Sequence, residues 1–295
     1  MLDYSQLETL ATVLRLGSFE AAAQHLHVTQ SAVSQRIRQL EERIGAPLVQ
    51  RGSPCVGTET GKRLARHAQE VALMEARVTG AQPDPLARLR IAVNADSLGT
   101  WVLEALAEVP DQLYEIIVDD QDHSSDWLRR GEVSAAITAQ ERPPQGCNSI
   151  PLGVMVYVAS ASPEFMRKYL PQPVDKSSLE AAPMLVFNKK DTLQDVWIKR
   201  NFGLIHSKRS HTIPSTEGFV TAARLGLGWG MNPQVLVDEF LADGRLVRLV
   251  ENSDLLVPLF WQSPRHLSDS LAPITEAVRR VSAERLPPMD TSVDK

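Results

Sequence analysis

The stretch VTQSAVSQRIRQLEERIG, residues 28–45, decides the fold of the N-terminal part of the chain. Its apolar side chains recur at steps of four, three and four, so they share one face of a predicted helix. They are Val33, Ile37, Leu40 and Ile44. The opposite face is polar in its N-terminal half, and acids appear only at Glu41 and Glu42. One face should therefore pack into a core, while the other remains available to a partner.

Two shorter helices are predicted before this stretch. Residues 3–14 place leucines at helical spacing and lead to Gly17, a plausible C-terminal glycine. Ser18 can cap a second helix, FEAAAQHL, and the turn at 27–29 ends at Thr29, the expected N-cap of the next helix. Two helices joined by so short a turn, the second amphipathic, form a helix-turn-helix.

A wing and a long helix are predicted to follow. The segment APLVQRGSPCVGTETGK, from residue 46, is typical of a short two-stranded wing. Thr58 or Thr60 then opens a helix at about 59–79, whose apolar stripe should pair with a second copy of the chain. The stripe consists of Leu64, Ala68, Val71 and Val78. The segment TGAQPDP, residues 79–85, breaks the helix and indicates a hinge.

From Leu89 onward, short apolar runs alternate with helical segments. LRIAV, YEIIV, VSAAIT, VMVYVAS, APMLVF and VPLFW have the length of buried strands. This alternation predicts an α/β fold with largely parallel sheets. About 200 residues suffice for two such subdomains with a cleft between them.

Composition and charge bound the possible classes. The chain has 295 residues, 43% of them hydrophobic and 23% charged, which is typical of a globular protein. We find no apolar run of about 18 residues and no secretory signal. Two distant cysteines, Cys55 and Cys147, indicate reduced thiols in a cytoplasmic protein.

The positive charge is local. The net charge is −5, yet residues 28–66 contain seven basic and three acidic residues. This local excess of four positive charges is expected where one module meets phosphate and the rest of the chain meets something else.

Taken together, these segments resemble the LysR-type transcriptional regulators. The N-terminal resemblance lies in SFEAAAQHL, in TQSAVSQRIRQLEERIGAPLVQR and in the following T-x-x-G. The C-terminal runs IAVNADSLGTW, VDDQDHSSDWLRRGEV, VFNKKDTLQD, PSTEGFVTAARLGLGWGMNP and VPLFWQ resemble the lysine- and arginine-responsive branch, the ArgP/LysG regulators. The similarity covers residues 3 to about 285. The order Gln35-Arg36 departs from many members of the superfamily but is shared within this branch.

The resemblance implies an architecture and a function. The fold would be α/β, with an N-terminal all-α winged helix-turn-helix, a linker helix and two Rossmann-like subdomains of the periplasmic-binding-protein type. The implied divisions are a DNA-binding domain (1–58), a dimerisation helix (59–80), a hinge (81–88), an effector-binding domain (89–290) and a disordered tail (291–295). Members of the branch bind promoter DNA as dimers or tetramers and sense cytoplasmic lysine or arginine. They activate a basic amino-acid exporter gene, and some carry the name inhibitor of chromosome initiation.

The DNA-contacting residues are expected on the recognition helix and the wing. Amides and hydroxyls in the major groove can read base edges, whereas arginines suit phosphates and groove walls. The predicted set is Thr29, Gln30, Ser31, Ser34, Gln35, Arg36, Arg38, Arg51 and Thr58. A solvated helix face is the alternative, which the turn, the wing arginine and the resemblance outweigh. The protein is expected in the cytoplasm, associated with the nucleoid. As a transcriptional regulator, it is also expected to contact RNA polymerase.

A ligand's carboxylate is expected at two helix starts. VNADS follows a strand and opens a helix, so Asp96 or Ser97 is the predicted N-cap at the ligand-binding edge of the sheet. Free N–H groups there favour an anionic group. Ser97, Leu98 and Thr100 are the candidates in this lobe. PSTEGF repeats the arrangement with Ser215, Thr216 and Glu217.

A cationic ligand also needs acidic partners, because an unpaired buried charge is costly. Asp119, Asp120 and Asp122 follow the strand YEIIV. Asp96 is a plausible neighbour across the cleft, and Asp191 is a further candidate. Alternatively, these aspartates cap a helix and face water, as aspartates at strand ends often do. The resemblance favours the ligand role, above all for Asp120.

Other classes have less support. GLGWG lacks the spacing of a phosphate loop, and the histidines at 123, 206 and 211 lack metal-like spacing. Trp101, Trp229 and Trp261 are expected in the core. With no nucleophile–base pair, metal site or cofactor loop in the sequence, an enzyme is not expected. Two alternatives remain: an architectural or replication-origin DNA-binding protein that needs no ligand, and a LysR-type regulator that senses another small molecule.

Overall fold

The computed structural model describes residues 2–50, 52–79, 88–120, 124–203 and 209–289. Several sequence predictions fall outside these ranges. They are Arg51 in the wing, Asp122, the histidines at 123 and 206, the tail at 291–295, and the hinge at 81–88 except for its last residue.

Three helices form the N-terminal head. Helix α1 (Tyr4–Leu16) ends at Gly17, which has the left-handed φ of 65° that glycine adopts without strain. Helix α2 (Phe19–His25) begins after Ser18, whose hydroxyl accepts from the amide of Ala21. Helix α3 (Gln30–Ile44) begins after Thr29. Leu7, Leu10, Val33, Ile37 and Leu40 belong to the buried core of the head. The predicted helix-turn-helix and the buried face of α3 are therefore confirmed.

The wing is a two-stranded antiparallel ribbon. Strand β1 (Val49–Gln50) pairs with β2 (Val56–Gly57). The carboxylate of Glu41 accepts from the amides of Leu48 and Val49, at 2.8 and 3.3 Å, and so fastens the wing to α3. One of the two acids on α3 is thus used inside the head.

The long helix α4 (Glu59–Thr79) leaves the head. Leu64 and Ala68 of its predicted stripe pack against the core of the head. Further along, Leu73 packs against the core of the C-terminal domain, where its carbonyl accepts from Ser270. Val78 is 86% exposed. The stripe is therefore divided: its first part is covered within the same chain, and only part of it remains for a second copy.

The C-terminal domain has two lobes. The first contains β3 (Arg88–Val93), α5 (Ala95–Ser97), a π-helical turn (Leu98–Val102), α6 (Leu103–Ala107), β4 (Leu113–Val118), α7 (Ser124–Arg129), β5 (Ala135–Thr138) and the late helix α13 (Ala272–Arg285). The second contains α8 (Pro163–Tyr169), α9 (Lys176–Ala181), β7 (Met184–Val186), α10 (Leu193–Phe202), β8 (Ser210–Thr212), α11 (Thr216–Arg224), β9 (Gly230–Pro233), α12 (Gln234–Ala242) and β10 (Val247–Arg248). Two long strands, β6 (Cys147–Ala161) and β11 (Leu255–Pro264), serve both lobes.

The main sheet is mixed, which corrects the prediction of largely parallel sheets. Its order is β10-β6-β11-β5-β3-β4, and β9 also pairs with β6. Only β3-β4, β3-β5 and the separate pair β7-β8 are parallel among the described strands. The antiparallel pairs arise because β6 and β11 run side by side from lobe to lobe. A list of apolar runs does not reveal such crossing strands.

The tryptophans expected in the core are buried. Trp101, Trp229 and Trp261 have exposed fractions of 2%, 0% and 1%. The indole of Trp261 donates to Thr275 of α13, at 3.1 Å. Of the described helices, none has the length and apolar character needed to cross a membrane.

Candidate DNA-binding face and ligand cleft

The polar face of α3 is presented to solvent. Gln30, Ser31, Gln35 and Arg38 are exposed, and Ser34 is half-buried. The apolar positions of the same helix lie in the core, so these polar side chains occupy the only surface that α3 can offer to a groove. Amide and hydroxyl groups there can donate to and accept from base edges.

Three other predicted DNA contacts have local roles. The hydroxyl of Thr29 accepts from the amide of Ala32 at 3.2 Å and lies 2.9 Å from that of Ser31. Thr58 caps α4 by accepting from the amide of Gly61 at 3.0 Å, and it donates to the carbonyl of Pro47. Arg36 donates to the hydroxyl of Thr9 in α1, at 3.3 Å. These side chains set the position of the reading helix before any DNA is bound.

The three acids between residues 28 and 66 are either already paired or lie away from the N-terminal half of α3. Glu41 holds the wing amides, and Glu59 pairs with Lys62 at 3.0 Å. Glu42 lies in the C-terminal half of α3, away from Gln30 and Ser34 along the helix. The local excess of positive charge is therefore available to phosphates.

The candidate ligand cleft lies where parallel strands end. Strands β3 and β4 pair in register, with Val93 beside Val118, so the residues after both strands reach the same edge of the sheet. The second lobe faces this edge with the loop after β7 and the start of α11. A cavity of about 440 Å³ lies between them. Its wall consists of Asn94, Ala95, Asp96, Val118, Asp119, Asp120, Tyr157, Phe187, Asn188, Lys189, Lys190, Asp191, Leu193, Thr216, Phe219, Met231 and Pro233.

Asp96 connects three parts of the domain. Its carboxylate accepts from the hydroxyl of Tyr157 in β6, at 2.8 Å, and from that of Thr216 in the second lobe, at 3.0 Å. Burial raises the pKa of Asp96, and the charges of Asp191 and Asp120 raise it further, whereas the two hydrogen bonds lower it. Burial and the nearby Asp96 also keep the pKa of Tyr157 well above its ordinary value, so Tyr157 remains a donor.

Asp119 is held from both lobes. Its carboxylate accepts from the indole of Trp127 at 2.8 Å and from the amide of Asp120 at 2.8 Å, both in the first lobe. The ammonium of Lys190, from the second lobe, lies 2.6 Å from its Oδ1 atom. Burial works against ionisation, but these donors outweigh it and lower the pKa of Asp119.

Asp191 stabilises the loop that carries Lys190. Its carboxylate accepts from the amides of Phe187 and Leu193, at 2.8 and 3.2 Å, and from the side chain of Gln194. The side chain of Asn188 accepts from the amide of Lys190 at 2.7 Å. The loop is thus fixed by its own polar side chains, and its charged groups face the cavity.

The structure brings only some of the predicted residues to the cavity wall. Asp96, Asp119, Asp120, Asp191 and Thr216 lie on it. Asp122 lies outside the described residues.

Ser97, Leu98 and Thr100 are not on the wall, which corrects the expectation for this lobe. Asn94, not Asp96 or Ser97, precedes the helix as its N-cap residue. Asp96 therefore falls in the first turn, and Ser97 is fully buried. Thr100 donates to the carbonyl of Asp96 at 2.6 Å. The helix starts two or three residues earlier than predicted, which turned the next side chains away from the cleft.

The second lobe shows a similar division. Ser215 caps α11 by accepting from the amide of Gly218, at 3.1 Å, as predicted. Ser215 and Glu217 are exposed and lie outside the cavity wall, where Thr216 alone represents the predicted trio.

Several wall residues were not predicted. Tyr157 lies within the predicted strand VMVYVAS, and Phe219 and Met231 lie within the run PSTEGFVTAARLGLGWGMNP, to which only Ser215, Thr216 and Glu217 were assigned as site residues. Lys189 and Lys190 precede Asp191 directly, so the charged run NKKD was a usable signal. The partner that Lys190 finds, 71 positions away, could not be inferred from that run.

A winged helix-turn-helix followed by a two-lobed domain with a cleft is the architecture of a ligand-responsive DNA-binding transcriptional regulator. Residues 4–62 match the family described as bacterial regulatory helix-turn-helix protein, lysR family. Residues 83–283 match the LysR substrate binding domain. The chain belongs to the LysR family of transcriptional regulators, within the LysG/ArgP type.

The chain is similar over nearly its whole length to proteins of this type. The chain is 42% identical to the transcriptional regulator LysG of Mycobacterium tuberculosis over 286 residues, covering 96% of this chain and 94% of the relative. The crystal structure of ArgP from Mycobacterium tuberculosis has a TM-score of 0.82 at 42% identity, with 98% and 100% covered. Full-length LysG from Corynebacterium glutamicum with bound effector Arg has a TM-score of 0.69 at 36% identity, with 97% and 100% covered.

Proposed function

We propose that this regulator senses arginine or lysine in its cleft and activates a gene for the export of basic amino acids. The observation that carries the proposal is the cavity wall, where four aspartates face one space of about 440 Å³. This size lies within the range of small-molecule sites. The arginine bound to the LysG of Corynebacterium glutamicum supports the same ligand class.

The charges of the wall suit a basic amino acid. Four aspartates and two lysines leave a net charge of −2, when all six are ionised, against a ligand of charge +1. Burial raises the pKa of Asp96, and the charges of Asp191 and Asp120 raise it further, so a cation placed among these three carboxylates would relieve their mutual repulsion. Asp120, at the end of β4, is our first choice for the partner of the ligand's side-chain cation.

A substitution at Asp120 tests this assignment. Asp120→Ala should weaken arginine or lysine binding at least about tenfold, ~1.4 kcal/mol, because the ligand's cation loses a carboxylate. Isothermal titration calorimetry on the full chain measures the effect. Asp111→Ala, an exposed aspartate away from the cavity, is the matched control and should bind like the original protein. Unchanged affinity in Asp120→Ala would contradict the pocket assignment.

The regulatory part is tested on DNA. Footprinting of promoter fragments with and without arginine or lysine should show a changed protection pattern, because a ligand shifts the balance between two shapes that bind it unequally. Chromatin immunoprecipitation in the source organism should place the protein upstream of a basic amino-acid exporter gene. A footprint indifferent to both amino acids would favour an architectural role that needs no ligand.

Assembly and contact with RNA polymerase belong to the same proposal. The linker helix keeps Val71 at a groove beside Tyr4 of α1, and Val78 is exposed. We propose that this remaining apolar surface joins two chains, and that dimers form tetramers on DNA. Light scattering coupled to size exclusion would detect a dimer or tetramer, and a monomer at micromolar concentration would refute this part. Co-purification with RNA polymerase on promoter DNA tests the last contact.

A further inference from the structure

Lys190 reaches across the mouth of the cleft. Its ammonium, carried by the second lobe, lies 2.6 Å from the carboxylate of Asp119 in the first lobe. The loop that carries it is held by Asn188 and Asp191, so the backbone of Lys190 is positioned independently of the ion pair. The lysine side chain is 49% exposed, whereas that of Asp119 is 15% exposed.

Asp119 does not need Lys190 in order to stay in place. The indole of Trp127 and the amide of Asp120 hold its two carboxylate oxygens from within the first lobe. Lys190 adds a cation from outside to a carboxylate that is already oriented. Departure of the ammonium would therefore leave a preformed anionic group facing the cavity.

The other wall carboxylates with described partners differ in this respect. Asp96 accepts from the neutral hydroxyls of Tyr157 and Thr216. Asp191 accepts from backbone amides and from the neutral side chain of Gln194. Asp119, by contrast, is paired with a protein cation that comes from the opposite lobe.

We propose that Lys190 is a tethered competitor of the ligand: the side-chain cation of a basic amino acid binds between the neighbouring carboxylates of Asp120 and Asp119, and the ammonium of Lys190 occupies the Asp119 side of that place until the ligand binds. The proposal rests on the proposed function and deepens it by naming a residue that sets the affinity. When the ligand binds, its side-chain cation replaces the ammonium of Lys190 at the carboxylate of Asp119. The cleft therefore responds only above the ligand concentration at which this replacement is favourable. The exchange also releases an ion pair that joins the wall segments of the two lobes.

A different role for Lys190 predicts that its loss weakens arginine binding instead of strengthening it. A lysine at a cavity wall can also receive the carboxylate of an amino acid. In that case its loss weakens binding of arginine but not of agmatine, which is arginine without the carboxylate. If Lys190 is a competitor, it weakens the binding of both ligands, and its loss strengthens the binding of both.

Calorimetry of the full chain with arginine and agmatine tests the proposal. Lys190→Met should bind both ligands about two- to fivefold tighter than the original protein, the range expected when a half-exposed ion pair no longer competes. Lys199→Met, on α10 and outside the cavity wall, removes the same charge from the same lobe and should leave both affinities unchanged. In an Asp119→Asn background, Lys190→Met should give no gain, because the shared carboxylate is gone.

Three outcomes overturn the proposal. Weaker arginine binding with unchanged agmatine binding in Lys190→Met makes Lys190 a carboxylate receptor. Equal affinities in Lys190→Met and Lys199→Met leave Lys190 without a role, although the proposed function stands. If the original protein and all variants bind neither arginine nor lysine, the proposed function fails and the competitor fails with it.

Discussion

The recognition face and the ligand cleft are built in contrasting ways. The recognition face is one side of a single helix, α3, and most of its polar side chains are exposed. The cleft collects residues from the ends of β3, β4 and β7 and from α11, which are distant in the chain. Its carboxylates at Asp96 and Asp119 already accept hydrogen bonds from residues of the opposite lobe or of β6.

This difference assigns the two regions different physical tasks. The head presents contact atoms that are ready before DNA arrives, since its caps and the Glu41 clasp fix the helix and the wing. Under the proposed function, the cleft gives up internal contacts of this kind when it makes new ones to a ligand. A region that exchanges contacts can have two states of similar free energy. Under the proposed function, the signal would therefore enter at the cleft and be read out by the head.

The largest effect is expected where the head is packed most tightly. A Cβ atom on Gly61, at the start of α4, would lie 2.0 Å from the carbonyl oxygen of the fully buried Leu48. Gly61→Ala should therefore cost at least about 2 kcal/mol of the head's stability, because backbone must move. We expect a lower unfolding temperature and weaker DNA binding, with ligand affinity in the cleft retained.

Gly45 supplies the control for this prediction. It ends α3 with a φ of 76°, and an added Cβ would meet no atom within 4 Å. Gly45→Ala should cost about 1 kcal/mol, from the left-handed backbone alone. Differential scanning calorimetry compares the two variants, and equal losses would show that the contact of Gly61 with Leu48 is not the controlling one.

A smaller and more selective effect is expected at the reading face. Gln35→Glu changes an exposed amide into a carboxylate of the same shape. DNA affinity should fall at least about tenfold, ~1.4 kcal/mol, because a negative charge then faces phosphates. Electrophoretic mobility shifts at two salt concentrations measure this. Glu42→Gln, on the other half of α3, is the control and should bind DNA as well as the original protein or slightly better. Unchanged DNA affinity in Gln35→Glu would contradict the placement of this face of α3 in a DNA groove.

The smallest effect expected is on the pH dependence of the protein's stability, through Asp96 in the cleft. Burial raises the pKa of Asp96, so the folded protein holds this proton more tightly than the unfolded chain does. The resulting stability is fully present below the unfolded pKa, about 3.9, and is lost as the pH rises through the raised folded value. Asp96→Asn cannot ionise, so its unfolding temperature should exceed that of the original protein at neutral pH, and the gap should close toward pH 4.

Asp175 provides a control for the thermal scans, because its pKa is shifted in the direction opposite to that of Asp96. The amide of Ser178 donates to its carboxylate at the start of α9 and lowers the pKa of Asp175. Its stabilisation is present above the unfolded pKa and is lost on acidification through the folded one. Asp175→Asn should therefore be slightly less stable than the original protein at neutral pH. A gap of the same sign in both variants would contradict the assigned environment of Asp96.

The sequence alone determined the head and its neighbouring helix. Helix starts at Ser18 and Thr29, the stop at Gly17 and the buried face of α3 all depend on residues a few positions apart. Such signals are local, because capping and helical periodicity act within one or two turns. The acidic run at Asp119 and Asp120 was compatible with a cationic ligand, but the expectation of lysine or arginine came from the family resemblance.

Only the tertiary structure decided how the cleft is assembled. The apolar runs did not reveal that β6 and β11 cross both lobes, and they left Tyr157 unrecognised as a donor to Asp96. The start of α5 at Ala95 moved Ser97 and Thr100 off the wall, and Lys190 found Asp119 across the cleft. These contacts join residues 61 and 71 positions apart, and no local pattern records which distant side chain will be adjacent once the chain has folded.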